Sequence, residues 1–347
     1  MKAAVMHLYD EKLENSDWVV YQDVPDPKIT NPSDVIIRIG GAGVCRTDLH
    51  VIEGIWRDHS DLTLPHILGH ENAGWVEEVG NGVNNVKVGD KVIVHPLMTK
   101  GYCLACRRGN DMHAEDSIFP GINANGGYAE YLLTNDRALV KLPDNLDPKA
   151  VAPHTDAGLT AYRAAKQAAG HLLPGEYVVV IGGGGLGHIG IQVLAAMCAA
   201  EIIVVDRAEA ALELSRKIGA HHTVKAGDGW VDEIIALTGG HGAEAVIDFV
   251  GEGDAVQKGL ASTRNQGSYY IVGYGGKVEI PTIDMITSEK RIIGCLVGTF
   301  PELVELMALA ERGLVKLDTH EYKLSDANKA LHDLHHGKYT GRAVLVP

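Results

Sequence analysis

The stretch VVVIGGGGLGHIG, Val178–Gly190, runs from a continuous apolar segment into a glycine cluster and out into a segment of helical length. Four branched aliphatic residues followed by Gly182-x-Gly184-x-x-Gly187 read as a buried strand, a tight turn and a helix start. Gly182 permits the turn. Gly184 allows the backbone to approach a pyrophosphate, which rests on the free N–H groups of the helix N-terminus. Gly187 lets the helix pack closely on the sheet. Gly185 and Leu186 complete the loop. A second apolar strand, EIIVVD, ends in Asp206, about 20 residues past the last glycine, where a carboxylate accepts ribose hydroxyls and repels a 2′-phosphate. This pattern predicts a dinucleotide site that takes NAD, with Arg207 beside Asp206 as a second candidate contact.

Downstream, EAVIDFVG (Glu244–Gly251), GSYYIVGYGG (Gly267–Gly276) and RIIGCLVGT (Arg291–Thr299) recur at strand–helix spacing. Strands alternating with helices predict a doubly wound parallel sheet. Upstream the texture differs. DVIIRIGGAGV, AGWVEEVG, DKVIVHP, YAEYLLTN and ALVKLP are short β-like runs broken by Gly, Pro, Asn and Asp, as in a small irregular β domain. PELVELMALAERG reads as a helix and the terminal GRAVLVP as a strand. The α/β chain therefore divides into a β-rich domain over 1–155, the dinucleotide domain over 156–295 and a C-terminal segment over 296–347.

Composition narrows the partners. The 347 residues carry a formal net charge of −14 without a Lys/Arg cluster, which argues against nucleic acid and anionic membranes. No apolar run is long enough to span a bilayer, and MKAAVMHLYD lacks the form of a signal peptide. Five cysteines are too few and odd in number for a disulfide framework, so a reducing cytoplasm is expected.

Two further stretches are dense in donors. GVCRTDLH holds Cys45, Thr47, Asp48 and His50, and GHENAGWVEEVGNGV opens with His70 and Glu71. Thiolate, imidazole and carboxylate together suit a borderline-soft ion such as Zn²⁺, and a catalytic site uses three protein ligands and an open position. These stretches resemble the zinc-dependent alcohol dehydrogenases of the medium-chain dehydrogenase/reductase family. GHENAGWVEEVGNGV matches that family's signature GHE-x-x-G-x5-G-x-x-V without a gap, and VIGGGGLGHIG has the form of its nucleotide fingerprint. The order of elements fits along essentially the whole chain.

The resemblance implies a GroES-like catalytic domain beside the Rossmann domain, and NAD-linked, reversible oxidation of uncharged primary or secondary alcohols to aldehydes or ketones. By position it makes Cys45, His70 and Asp156 ligands of one catalytic zinc per subunit, with Glu71 a conditional ligand. Asp48 would hold the other ring nitrogen of His70. Thr47 and His50 would carry the alcohol proton away. Arg46 and Arg342 would reach the pyrophosphate, and Thr160, Val250, Val272 and Val297 would also lie along the cofactor. Asp156 and Thr160, four apart, are expected to share a helix face. Leu97, Phe119, Ile122 and Trp56 would line an apolar substrate pocket. Homodimers or homotetramers are implied, with Arg291–Thr299 the candidate edge strand. Competing readings are a zinc-free quinone or enone reductase of the same superfamily and a non-catalytic dinucleotide-binding module.

One stretch fits poorly. KGYCLACRRGNDMHAEDS, Lys100–Ser117, lies where the family carries a second, structural zinc on C-x2-C-x2-C-x7-C. Here those positions are Lys100, Cys103, Cys106 and Ala114. Structural zinc sites are closed and four-coordinate, so the pair is expected to be a remnant, with a site rebuilt by His113 or Asp111 as the alternative.

Overall fold

A computed structural model describes residues 1–58 and 60–347. Two compact units emerge: Met1–Leu159 with Thr299–Arg312 and Leu317–Pro347, and Thr160–Gly298 with Gly313–Lys316.

In the second unit, six strands form a sheet in the order His222–Lys225, Glu201–Asp206, Tyr177–Ile181, Ala243–Asp248, Thr263–Ile271, Arg291–Gly294. Every pairing is parallel. The first strand in sequence lies in the middle and the order reverses beside it, the arrangement that opens a crevice at the strand ends. Val178, Val179 and Val180 are each 0% exposed, as expected where helices cover both faces. Each such side chain contributes roughly 1.5–3 kcal/mol of apolar burial.

The first unit is built around the long strand Asp34–Val44, which pairs antiparallel with Glu71–Val79, Tyr131–Asn135 and Arg342–Val346. Its register slips at Ile36/Ile37 and Ile39/Gly41. The glycines of GGAGV, which weaken a strand, are required here by close approach. An added Cβ would lie 2.7 Å from the Trp75 ring at Gly40, 2.8 Å from the Lys149 backbone at Gly41 and 1.9 Å from Glu71 Oε2 at Gly43. A smaller antiparallel sheet joins Val20–Asp23, Lys2–Met6 and His66–Ile67. The helix Phe300–Glu311 starts at Thr299, whose hydroxyl accepts the Glu302 N–H while the Glu302 carboxylate accepts the Thr299 N–H.

Candidate active site and metal centre

Cys45 ends the long strand and caps the helix Arg46–Glu53. His70 precedes the strand Glu71–Val79, and Asp156 stands between the 3₁₀ turn Ala152–Thr155 and the helix Ala157–Ala169. These segments are far apart in sequence, yet the ligand atoms of Cys45, His70, Glu71 and Asp156 all lie within 4.8 Å of one another. Cys45, His70 and Glu71 are buried, and Asp156 is 14% exposed at its side chain. The donor chemistry is one thiol, one imidazole and two carboxylates, a set that fits zinc. Asp156 has φ −124° and ψ −61°, outside the helix that follows. It is the residue directly before the helix that carries Thr160.

The surroundings hold these donors in place. His70 Nε2 lies 3.4 Å from Asp156 Oδ2, and Nδ1 lies 3.3 Å from Asp48 Oδ1. Burial alone would lower the His70 pKa, but the facing carboxylates of Asp48 and Asp156 outweigh it and raise it well above the ordinary value. Asp48 is fully buried. Desolvation pushes its carboxyl up, and His70, the Cys45 N–H and the Tyr128 hydroxyl together pull it below the usual range. Glu71 Oε1 accepts the Ala157 N–H at 3.0 Å and Oε2 accepts from Arg342 Nη2. Burial raises the Glu71 pKa, with the Arg342 charge a partial offset.

In the second unit the Gly182–Gly187 turn has the backbone geometry expected from its sequence. Gly182 has φ +91°. A Cβ at Gly187 would lie 1.8 Å from the Gly182 carbonyl oxygen. At Gly184 an added Cβ would meet nothing within 4 Å, leaving the backbone open to a ligand. The helix Gly187–Met197 starts there. Asp206 closes its strand, where Oδ2 accepts the Gly183 N–H at 2.8 Å and Oδ1 the Ala208 N–H at 2.7 Å. The carboxylate thus ties the turn to the next strand, and each oxygen keeps a lone pair for a hydroxyl. Arg207 and Val250 are exposed, Val272 is partly exposed, and Thr160 is buried. Val297 is buried with φ +48°, a strained backbone for a β-branched residue.

Comparison with known proteins agrees with this geometry. Residues 31–144 match the alcohol dehydrogenase GroES-like domain and residues 185–312 the zinc-binding dehydrogenase domain. The chain is 37% identical over 353 residues to an NAD-dependent alcohol dehydrogenase of Sulfolobus acidocaldarius, covering 99% of each. It is 40% identical over 337 residues to one of Sulfurisphaera tokodaii, covering 94% of this chain and 96% of that protein. Its structure superimposes on that of the alcohol dehydrogenase from Aeropyrum pernix with a TM-score of 0.95, at 44% identity over 100% of both chains. The chain belongs to the zinc-dependent alcohol dehydrogenases of the medium-chain dehydrogenase/reductase family.

Within this dehydrogenase frame some expected residues stand differently. Arg342, expected at a pyrophosphate, is 3% exposed and commits Nη2 to Glu71. His50, expected to titrate near neutrality, is buried, and desolvation with the nearby Arg46 charge pushes it down to about 4. Arg46 itself is exposed and Thr47 partly exposed. His154 is buried beside Gly158, where a Cβ would lie 2.3 Å from His154 Nδ1. Sequence reading missed Tyr128, whose hydroxyl donates to Asp48 Oδ2 at 2.8 Å. The signal available was the pair Gly126–Gly127 before it, which marks a close backbone approach.

In the Lys100–Ser117 lobe, Cys103 and Cys106 are joined by an S–H···S contact of 3.2 Å. The donors close enough to share an ion with them include Asp116, which is exposed, and not His113. Asp111 lies within hydrogen-bond reach of the Cys106 thiol and also accepts from Thr99 Oγ1 at 2.6 Å and Arg137 Nη2 at 3.0 Å.

Proposed function

We propose that this dehydrogenase uses one zinc ion per subunit, held by Cys45, His70 and Asp156 with Glu71 in reserve, to oxidise uncharged alcohols reversibly with NAD⁺. The observation that carries the reading is the convergence of these donors within 4.8 Å, with Asp48 behind His70. Zinc bound there would supply a Lewis acid that lowers the pKa of an alcohol hydroxyl. Phe119 meets the His70 ring edge-on, with centroids 5.7 Å apart, and with Leu97, Ile122 and Trp56 gives the alcohol an apolar lining. No charged residue among these holds a carboxylate or phosphate, which favours neutral substrates.

The chain's own groups handle the cofactor and the proton. The Gly182–Gly187 turn takes the pyrophosphate, and Asp206 takes the adenosine ribose and disfavours a 2′-phosphate. Thr160, Val250, Val272 and Val297 flank the nicotinamide half. The Thr47 hydroxyl accepts the alcohol proton and passes its own onward, because one hydroxyl both donates and accepts. His50 stands next on the path that the resemblance implies for the proton, and its burial disfavours the charged form. The outer edge of Arg291–Gly294, the last strand of the parallel sheet, is offered for pairing with a second copy in a homodimer or homotetramer.

A metal assay combined with NADH formation on a panel of neutral alcohols tests the reading. Zinc near one per chain, and turnover lost on chelation and restored by zinc, is the expected result. Turnover retained in metal-free protein favours the zinc-free reductase, and no turnover with any alcohol favours a binding module. Asp206→Ser is expected to raise the ratio of kcat/KM for NADP over NAD by about 10–100-fold, through loss of the 2′-phosphate repulsion.

A further inference from the structure

We infer that Tyr128 is a positioning residue of the zinc site, acting through Asp48 on two ligands at once. The inference rests on the zinc reading above. Asp48 Oδ2 accepts two hydrogen bonds, from the Cys45 N–H at 2.8 Å and the Tyr128 hydroxyl at 2.8 Å. With both donors on one oxygen, the other oxygen, Oδ1, is turned toward His70 Nδ1, 3.3 Å away. One carboxylate thus connects the backbone of one ligand to the ring of another. Asp48 and Tyr128 are each 0% exposed, so no bulk water replaces a lost donor.

The hydroxyl is placed by the same segment that carries His70. The Gly127 N–H donates to the Gly69 carbonyl at 2.8 Å and the Tyr128 N–H to the Leu68 carbonyl at 2.9 Å, zipping the two segments together. Gly69, directly before His70, has φ +95°, and an added Cβ there would lie 2.3 Å from Tyr128 Cδ1. The missing side chain at Gly69 is the space the tyrosine ring occupies. The single hydroxyl proton has two acceptors in range, Asp48 Oδ2 at 2.8 Å and the Gly43 carbonyl at 3.4 Å. The carboxylate is nearer and charged, so it takes the proton.

Tyr128→Phe keeps the ring and removes one of the two donors that fix the carboxylate. Two effects then oppose each other. A carboxylate with fewer donors keeps more negative charge for the imidazole, but it is also freer to rotate in a dry site. The second wins, because the contact from Oδ1 to His70 is already long at 3.3 Å and weakens steeply with misalignment. Direct partners of metal-bound histidines are worth 10–100-fold in metal affinity. Acting one bond further out, Tyr128→Phe is expected to weaken zinc about 5–10-fold.

The test measures zinc dissociation constants of the full-length protein by competition with a chelator of known affinity. Wild type, Tyr128→Phe and Val35→Ala are compared. Val35 is fully buried in the far part of the Asp34–Val44 strand, so its truncation lowers stability without touching the site. The expected result is zinc bound 5–10-fold more weakly by Tyr128→Phe, with Val35→Ala within two-fold of wild type at an equal or larger loss of Tm. Unchanged or tighter zinc in Tyr128→Phe overturns the inference, as does equal weakening in both variants. Wild-type protein that takes up no zinc overturns the underlying reading and this inference with it.

Discussion

Cys45 and Cys103 each stand directly before a helix, Arg46–Glu53 and Leu104–Arg107. At Cys45 the capping is reciprocal, the thiol facing the Asp48 N–H while the Asp48 carboxylate accepts the Cys45 N–H at 2.8 Å. At Cys103 the thiol accepts the Cys106 N–H at 3.4 Å, and the answering position holds Cys106 in place of a carboxylate. The surrounding carboxylates differ as well. Around Cys45, the donors Glu71 and Asp156 are additional to Asp48, and separate groups, Tyr128, Arg342 and the Ala157 N–H, brace the cluster. In the lobe, Asp111 is spent on Thr99 and Arg137, and the remaining carboxylate, Asp116, is exposed. Glu71 is engaged by the Ala157 N–H and Arg342 much as Asp111 is by Thr99 and Arg137, so what separates the clusters is the number and burial of their donors: four, three of them buried, around Cys45, against two thiols and one exposed carboxylate in the lobe.

The sharpest test removes a donor from the first cluster. Cys45→Ser or His70→Ala is expected to abolish zinc retention and lower kcat/KM for alcohol oxidation by at least about 10³-fold, while NADH affinity stays within a few-fold. Metal analysis, steady-state kinetics and fluorescence titration check this. Turnover near wild type would remove the contrast between the clusters altogether.

Next in size is the bracing. Arg342→Ala leaves Glu71 buried without its cation, at a cost of about 3–5 kcal/mol. Adding Glu71→Gln should recover much of that loss, because the uncompensated charge is gone. Thermal unfolding of both variants tests it. A loss below about 1 kcal/mol for the single variant would mean that the pair lies in a more solvated setting than its 3% and 0% side-chain exposures imply.

A smaller effect, with a pH signature, is expected in the lobe. Burial alone would raise the Asp111 pKa, but Thr99 and Arg137 outweigh it and hold it below the ordinary 3.8. A depressed carboxylate pKa contributes stability that is fully present above the unfolded value and is lost as pH falls through the folded one. Asp111→Asn should therefore cost about 1–2 kcal/mol at pH 5–8, and the gap to wild type should narrow below about pH 4. Tm differences across that range read it out, and a gap that widens with acid would contradict it.

The smallest effect is expected from Cys103→Ser with Cys106→Ser. Zinc content and activity should be unchanged and stability within about 1 kcal/mol, since Thr99, Asp111 and Arg137 hold the lobe. Two zinc ions per wild-type chain, falling to one in the double variant, would show that Asp116 completes a working metal site and erase the difference between the clusters.

Much of this was legible before any coordinates. Periodicity gave the parallel sheet, since a strand covered by helices on both faces must be apolar at every position, as Val178–Ile181 is. The glycine fingerprint gave the turn. Resemblance singled out Cys45, His70, Glu71 and Asp156, and these four converge. Tyr128, by contrast, looks in sequence like any strand-end aromatic. Arg342 gives no sign of whether it meets a phosphate or a buried carboxylate.

The sequence by itself determined which chemistry is available: a glycine turn at Gly182–Gly187 of the kind that suits a pyrophosphate, an acidic strand end at Asp206, and thiol, imidazole and carboxylate donors in sufficient number. Those properties belong to residue type and short spacing, which backbone geometry converts directly into local structure. The tertiary structure alone decided which donors converge, that Asp48 serves both Cys45 and His70, that Glu71 is held by Arg342, and that Asp111 is spent on Arg137. Apart from the Asp48–Cys45 bond, these are contacts between segments tens to hundreds of residues apart. Their geometry is fixed by strand pairing and by the close approaches that Gly43 and Gly69 permit, which no local pattern encodes.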